Sequence, residues 1–418
     1  MGKIKKIYKI PFLILFVILV LATAGFFALR SPAVQTWLFD KLSASISKNN
    51  EIEISAGDMK FTFFNRIEVH DLLINDNTAD TMLYAKMVKA GIRKIKRKDR
   101  FLSLGRIDIE SPVIKIHPDT SGILNFEHLA RMLVQEDTAK RNKDLLIRQI
   151  NIYNGVLAYN SGKSPDTSQY FDLNNILLSD LNLTLDNFNK YTSDIGLRIS
   201  RLSFKSGTAF ELENFFTELR IEEGKYYLID PTIKTPGSFI NSELIGLEIM
   251  KNGDDFEFFR DANLDISLQS SLISLSDLGY FIEPLRGLEQ EILFSGSIHG
   301  TVEEMNGRDI MISYSDSTML VCDFDLSGMP DIDNTFMFIR IGSLTSTTHE
   351  IAEIEIPGRG RLDPGDEFRK LGAISFSGNF TGFTSDFVTY GILNTGLGSL
   401  STDILFRPDT SNTFFYKG

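Results

Sequence analysis

Hydrophobic and polar residues alternate along most of the chain after residue 50. A period of two places every second side chain on the same side of an extended strand, so each alternating segment predicts a strand with one apolar and one polar face. Parallel strands covered on both sides would instead give continuous apolar runs between helices, so the alternation predicts antiparallel pairing. The clearest alternating segments are residues 107–116, 181–185, 195–199 and 264–268.

A different pattern occupies the N-terminus, where residues 10–29 contain no charged side chain. At about 1.5 Å per residue, this run is long enough to cross a hydrocarbon core of about 30 Å as a helix. Four lysines precede it and a single arginine follows, which predicts residues 1–30 to be a cytoplasmic tip and transmembrane anchor with the body across the membrane. The alternative is a cleaved signal peptide, because Ala22-Thr23-Ala24 has the form of a cleavage site. The cations are Lys3, Lys5, Lys6, Lys9 and Arg30.

A helical period follows the predicted span over residues 31–48. Ser31 and Pro32 are typical of a helix start, and apolar residues then recur every three or four positions. Two interpretations remain open for this amphipathic helix. It either caps one end of a β core or lies on the membrane surface with Trp37 as an anchor. The polar face carries few Lys and Arg residues, which favours the cap.

Two interruptions divide the remaining β pattern into three blocks. A helix is predicted to begin at Asn125 and to run into a polar linker ending at residue 143. A short helical linker is predicted over residues 273–289, with its turn near 276–280 ended by Pro284. The blocks are residues 49–124, 144–272 and 290–418.

The third block contains an internal repeat, because residues 294–300 read FSGSIHG and residues 376–382 read FSGNFTG. Repetition indicates units that stack on their neighbours. The last three residues resemble the start of a further copy, so we expect the third block to be truncated.

Composition excludes some functions. The net charge of −12 and the pI of about 5.1 argue against nucleic acid as a partner. The single cysteine, Cys322, cannot form an intrachain disulfide and follows the strand alternation. Phenylalanine is abundant, at 33 residues against 12 tyrosines, which indicates a need for apolar rings without polar groups.

Candidate catalytic and metal-binding motifs fail on their spacing. Gly162-Lys163-Ser164 resembles the end of a phosphate-binding loop but lacks its first glycine, and residues 331–342 imitate a calcium loop without its required Gly and Glu. Both segments are predicted to be turns. The histidines lack a metal-ligand spacing along the chain, so we predict no enzyme activity, no metal and no cofactor. These histidines are His70, His117, His128, His299 and His349.

One basic cluster stands out in this acidic chain, at residues 93–100. One interpretation is a solvated loop between strands. The other is contact with anionic lipid head groups, which is worth about 1 kcal/mol per cation. The candidate head-group residues are Arg93, Lys94, Lys96 and Arg97.

Several features occur in an order that resembles the AsmA/TamB superfamily, specifically the amino-terminal part of a TamB-like protein, over essentially the whole chain. They are the lysine-rich start with one span, the helix entry at 31–38, the segment 67–83 with Asp71 and Asp76, the turn at 122–126 leading to Leu129, and the Gly-x-x-x-Gly strands at 296–300 and 378–382.

The resemblance implies an N-terminal transmembrane helix followed by an elongated antiparallel β-taco, a repeating β-groove with an apolar concave face and a few short helices. It implies a single-pass protein of the cell inner membrane whose N-terminus is cytoplasmic and whose body spans the periplasm. The implied function is phospholipid movement between the inner and outer membranes, support of outer-membrane protein assembly, or both. The implied partners are phospholipids and an outer-membrane barrel, the latter bound through a carboxy-terminal region that this sequence does not contain.

The alternating apolar residues are then the candidate lipid-groove residues, because they lie on one side of each strand and could shelter acyl chains. Pro112 is expected to mark a bulge that resets the phase within its strand. The alternative is a structural or adhesive β-scaffold whose inward residues pack as a closed sandwich. The groove residues are Ile107, Ile109, Ile114, Ile116, Leu181, Leu183, Leu185, Leu264, Ile266 and Leu268.

Overall fold

The computed structural model confirms a mainly β protein, with 70% of residues in strands and a few short helices. In the part of the chain that it describes, no helix is long and apolar enough to span a membrane. The predicted span lies outside the described residues, as does most of the predicted helix at 31–48. Trp37 and Lys41 of that helix are described, are helical, and place the Lys41 Nζ 5.1 Å from the Trp37 ring centre. The described residues are 52–62, 66–76, 79–96, 101–119, 122–126, 145–164, 170–172, 174–191, 194–222, 224–250, 257–356, 360–361, 365–408 and 414–417, together with Ser31, Trp37 and Lys41.

Contacts among the described residues group the chain into two units. The first unit comprises Met1–Asp166 and Asp172–Thr184, and the second comprises Thr167–Phe171 and Leu185–Gly418. The division into three blocks is made from the sequence on other grounds than these contacts, and it stays a prediction.

In the first unit, β1 and β2 both pair with β3, and β3, β4 and β5 then pair consecutively in antiparallel order. Strand β7 begins in this unit and ends in the second. The strands are β1 (Glu53–Ser55), β2 (Asp58–Thr62), β3 (Arg66–Asn75), β4 (Thr81–Lys96), β5 (Phe101–Ile116), β6 (Leu145–Asn160) and β7 (Asn175–Tyr191).

One strand pair corrects the expectation of antiparallel pairing throughout. Strands β5 and β6 are parallel, with Ile107 opposite Ile150 and Ile114 opposite Leu157. A parallel pair needs a connection of a dozen residues or more, and residues 117–144 provide it. Asn125 and Phe126, where the sequence predicts a helix to begin, are helical, and the rest of that predicted helix lies outside the described residues.

The second unit is an antiparallel meander in which each strand from β8 to β16 pairs with the next, β16 pairs with β19, and the order continues to β22. A small separate hairpin is formed by β17 and β18. The strands are β8 (Asp194–Ser206), β9 (Glu211–Glu222), β10 (Lys225–Lys234), β11 (Phe239–Ile249), β12 (Ala262–Ser274), β13 (Glu291–Gly300), β14 (Glu304–Tyr314), β15 (Thr318–Ser327), β16 (Phe336–Thr347), β17 (Glu355–Ile356), β18 (Gly360–Arg361), β19 (Ala373–Gly382), β20 (Phe387–Thr395), β21 (Gly398–Pro408) and β22 (Phe414–Lys417).

Short helices interrupt this meander at a few of its connections. The predicted turn near residues 276–280 is present as α2, whereas Pro284 does not end it and instead lies in the 3₁₀ helix that follows. The helices are α1 (Phe258–Asp261), α2 (Leu275–Leu278), α3 (Thr348–Glu353) and α4 (Gly365–Arg369), with 3₁₀ helices at Glu283–Leu285 and Ile332–Asn334.

Bulges interrupt successive strands of the second unit. Asp230 in β10 has a φ of 48° beside a register shift, and Asp309 in β14 has a φ of 52° at another. A bulge bends its strand and leaves one residue unpaired. Several fully buried residues of this unit lie beside bulges. They include Thr217, Pro231, Ser271 and Ile310.

Each unit also has a packed cluster at one end. In the first unit, Ile52, Ile74 and Met82 form a small core. In the second, Phe210 is 9% exposed and contacts the rings of Phe171, Phe204, Tyr280 and Phe281.

Helix α2 is held next to this second cluster by a carboxylate. The Asp277 Oδ2 accepts hydrogen bonds from the hydroxyls of Thr235 and Ser238, which belong to the turn between β10 and β11.

Candidate functional site on the sheet of the second unit

A row of directly paired residues crosses the second unit on one face of its sheet. Ile266 of β12 lies opposite Ile245 of β11 and opposite Ile298 of β13. Directly paired residues point to the same face, so the pairing can be followed from strand to strand. The first row contains Leu197, Leu219, Leu228, Ile245, Ile266, Ile298, Gly307, Phe324, Ile339, Phe380, Thr389 and Ile404.

A second row runs two residues away on the same face. The ring centre of Phe387 in this row lies 4.9 Å from that of Phe380 in the first row, and 5.1 Å from that of Phe406. We refer to the two rows together as the apolar face. The second row contains Ile221, Tyr226, Leu247, Leu264, Gly300, Met305, Leu326, Met337, Gly382, Phe387 and Phe406.

The opposite face of the same strands is largely polar. The Asp265 Oδ1 lies 2.8 Å from the His299 Nδ1 of the neighbouring strand, and the Lys225 Nζ lies 3.0 Å from the Glu248 Oε1. Residues 265 and 299 alternate with members of the apolar face, so the sheet has one apolar and one polar side over β9–β15.

Strand β20 departs from this rule. Its side opposite the apolar face carries Val388, Tyr390 and Ile392, which are 39%, 52% and 52% exposed. Apolar side chains therefore occupy both faces of this strand.

Most members of the apolar face are half-buried rather than fully buried. Ile266, Ile298 and Phe324 are all in this intermediate class. In a closed sandwich the inward residues of both sheets interdigitate and lose contact with solvent. The half-buried state fits a surface that a ligand can reach.

The predicted groove residues of β12 belong to this face. Leu264 and Ile266 lie in its two rows, and Leu268 lies opposite Gly296 of β13 beside a bulge. Whether these residues contact lipid stays a prediction.

The other predicted groove residues lie on β5 and β7. Leu181 is 5% exposed, whereas Leu183 and Leu185 are half-buried, and the three alternate along β7. Leu185 belongs to the second unit and the other two to the first.

On β5, a change of phase separates two pairs of groove residues, Ile107 with Ile109 and Ile114 with Ile116. Ser111 has a φ of 47°, directly before the fully buried Pro112, where the sequence predicts a bulge. The register with β4 and with β6 nevertheless continues without a slip at this position. In β6, Asn154 has a φ of 51° at the level of Ser111, so these two strands are irregular at the same place.

Three of the candidate head-group residues belong to a strand rather than to a loop. Arg93 and Lys94 are exposed near the end of β4, and Lys96 is its last residue. Arg97 lies outside the described residues. The interpretation of residues 93–96 as a loop is therefore wrong, and their contact with lipid stays a prediction.

The two segments that resemble a phosphate-binding loop and a calcium loop form a bend and a short helix. Gly162 has a φ of 84° in a bend, and the Asp331 side chain accepts a hydrogen bond from the Asn334 backbone at the start of a 3₁₀ helix. Hydrogen bonds from Asn334 lower the pKa of Asp331. Burial raises the pKa of the Cys322 thiol in β15, so this cysteine is a protected strand residue.

Sequence reasoning missed one group of possible metal ligands in the first unit. Ligand atoms of Asp76, Asp80 and His117 lie within 4.8 Å of one another. Asp76 and Asp80 are four residues apart, but His117 lies 37 residues after Asp80 and strand pairing brings it to them, so a search for regular spacing could not find the group.

Comparison with known proteins found no match for this chain. No family model matches the sequence, and no curated protein and no solved structure matches it. The similarity to the AsmA/TamB superfamily therefore stays a prediction from the residues that carry it.

Proposed function

We propose that the chain is anchored in the inner membrane and conducts phospholipids along its apolar face, between inner and outer membranes, with support of outer-membrane protein assembly as a related role. The observation that carries this proposal is the pair of apolar rows, most of whose members are half-buried. The β-taco curvature and the periplasmic location belong to the proposal.

The chemistry of the rows suits an acyl chain. Burial of a methylene group from water contributes about 0.8 kcal/mol, and no covalent step is needed for lipid to move. Polar side-chain groups in the rows are limited to the hydroxyls of Tyr226 and Thr389. An acyl chain therefore meets a similar surface from strand to strand, which favours lateral movement over tight binding at one position.

The polar face completes the proposal. Pairs such as Asp265 with His299 and Arg308 with Asp325 keep that side of the sheet in water. The basic residues Arg93 and Lys94 would contact anionic head groups in the first unit. The anchor at residues 10–29 would keep the protein at the membrane from which lipid enters.

Photo-crosslinking tests the proposal with adjacent residues as controls. A photoreactive amino acid at Ile266 or at Phe324 should capture phospholipid in membranes. The same amino acid at Ser267 or at Asp325 should not, because these neighbours point to the opposite face. Equal lipid capture on both faces, or capture on neither, would reject lipid conduction.

A structural or adhesive scaffold is the second candidate. The exposed Val388, Tyr390 and Ile392 on the other face of β20 favour it, because exposed apolar patches often mark protein contacts. Protein adducts at Tyr390 together with the absence of lipid adducts at Ile266 would favour the scaffold.

A further inference from the structure

Two carboxylates and an imidazole converge at one end of the first unit. Asp76 and Asp80 flank the loop between β3 and β4, and His117 directly follows β5. The Asp76 side chain is 7% exposed, whereas Asp80 is on the surface. Ligand atoms of the three residues lie within 4.8 Å of one another.

Hydrogen bonds hold both contributing segments in place. The Asp80 backbone N–H donates to Asp76 Oδ1 over 2.9 Å, which closes the loop. On the other side, the buried Asn125 donates from its backbone to the His117 carbonyl over 2.9 Å, and its Nδ2 donates to the Lys115 carbonyl over 3.0 Å. The backbone at His117 is therefore positioned before any ligand arrives.

The contact between Asp76 and His117 has the distance of two ligands of one metal ion. The Asp76 Oδ2 lies 3.5 Å from the His117 Nε2, which is longer than an ordinary hydrogen bond of about 2.7–3.2 Å. In a tetrahedral site with metal–ligand bonds of about 2.1 Å, neighbouring ligand atoms are about 3.4 Å apart. The observed distance of 3.5 Å is close to this separation between neighbouring ligand atoms.

The surroundings of the other imidazole nitrogen are compatible with the same assignment. The His117 Nδ1 lies 3.4 Å from the Pro118 carbonyl oxygen. A metal-bound histidine commonly donates its second ring N–H to a carbonyl or carboxylate, which directs the lone pair of its other nitrogen to the metal. With the proton on Nδ1, the lone pair of Nε2 faces the Asp76 carboxylate, and a cation between them removes the repulsion.

We propose that Asp76, Asp80 and His117 bind a divalent transition-metal ion of the zinc class, with water in the fourth position. Calcium and magnesium prefer oxygen ligands alone, whereas imidazole with carboxylates suits zinc. Asp80 is exposed, and its carboxylate is the third ligand of the proposed site. The ion joins the β3–β4 loop to the segment after β5, beside the core of Ile52, Ile74 and Met82.

Metal titration of the full chain, purified in detergent without a histidine tag and treated with a chelator, tests this site. We expect one zinc ion per chain, measured by competition with a chromophoric chelator, and a cobalt(II) absorption band in place of zinc. Asp80→Asn and His117→Gln should weaken zinc binding at least 10–100-fold. His299→Gln should leave it unchanged, because His299 contacts a single carboxylate, Asp265, at 2.8 Å.

The same proteins separate a metal site from a simple ion pair. Zinc should raise the thermal unfolding temperature of the wild type but not that of Asp80→Asn, a surface substitution whose fold is checked by circular dichroism. The proposal is overturned if zinc fails to bind with one-to-one stoichiometry, if it binds all variants equally, or if it leaves the unfolding temperature of the wild type unchanged.

Discussion

The ring of Phe324 in β15 lies directly over the α-carbon of Gly307 in β14. The two residues are opposite each other in the register, and a β-carbon added to Gly307 would overlap the ring. Gly307 is therefore required because its neighbour occupies the space above it. The pair lies in the first row of the apolar face, so at this point the Phe324 ring covers the Gly307 backbone.

Gly307→Ala should destabilise the protein by about 1–3 kcal/mol, because the added methyl group displaces the Phe324 ring. Gly196→Ala is the matched control, since a β-carbon at this strand position meets nothing within 4 Å. Its effect should stay within about 0.5 kcal/mol. Urea unfolding followed by circular dichroism measures both, and equal effects would contradict the described contact.

Ile266→Asp should block lipid transport at a modest cost in stability, about 1–2 kcal/mol, because its half-buried carboxylate can stay hydrated. Ile310→Asp provides the comparison, since Ile310 is 1% exposed and its replacement buries an unpaired charge. That variant should lose more than about 4 kcal/mol. Equally severe losses in unfolding experiments would favour the closed scaffold.

Glu350 should make stability depend on pH in the acid range. The Thr318 hydroxyl donates to its carboxylate, and this hydrogen bond, with others from Ser315 and Ser317, lowers the pKa of Glu350 in the folded protein below its ordinary value of 4.5. A lowered folded pKa gives stability that is present above the unfolded pKa and lost as pH falls through the folded pKa.

Glu350→Gln should therefore be less stable than the wild type at pH 7, and the difference should shrink as pH falls below 4.5. Thermal unfolding of both proteins between pH 7 and about pH 2.5 measures it. In a Thr318→Val background the difference at pH 7 should be smaller. A stability difference between the two proteins that does not change with pH would show that the charge of the Glu350 carboxylate does not contribute to stability.

A reporter enzyme fused after Gly418 should be active only on the non-cytoplasmic side of the membrane, because lysines precede the apolar run at residues 10–29. Activity in the cytoplasm would refute the orientation and the proposed function together. The mass of the mature N-terminus decides the remaining alternative, since a cleaved signal peptide would leave a protein that begins after Ala24.

Local alternation was sufficient to predict the class of the fold. Segments such as residues 264–268 form strands with one apolar side, because the side-chain period of a strand is a property of the backbone itself. The bulge predicted at Pro112 is wrong, because the pairing with β4 and with β6 continues without a slip there, and the irregularity is instead the positive φ of the preceding Ser111.

Strand partners could not be predicted in the same way. The parallel pairing of β5 with β6 depends on how residues 117–144 return the chain, and the pattern within β5 is equally compatible with an antiparallel neighbour. The convergence of Asp76 with His117 follows from the register of three strands, in which Leu83 of β4 lies opposite both Ile74 of β3 and Ile114 of β5. Neither residue is conspicuous in the sequence.

The sequence by itself determined which side chains share a side of each strand, because that depends only on alternation along one segment. Only the tertiary structure decided that Ile245, Ile266 and Ile298 form part of a continuous row, and that Gly307 must accommodate Phe324. The physical reason is that register joins residues of separate strands through hydrogen bonds and bulges, whose positions are set by all neighbouring strands together.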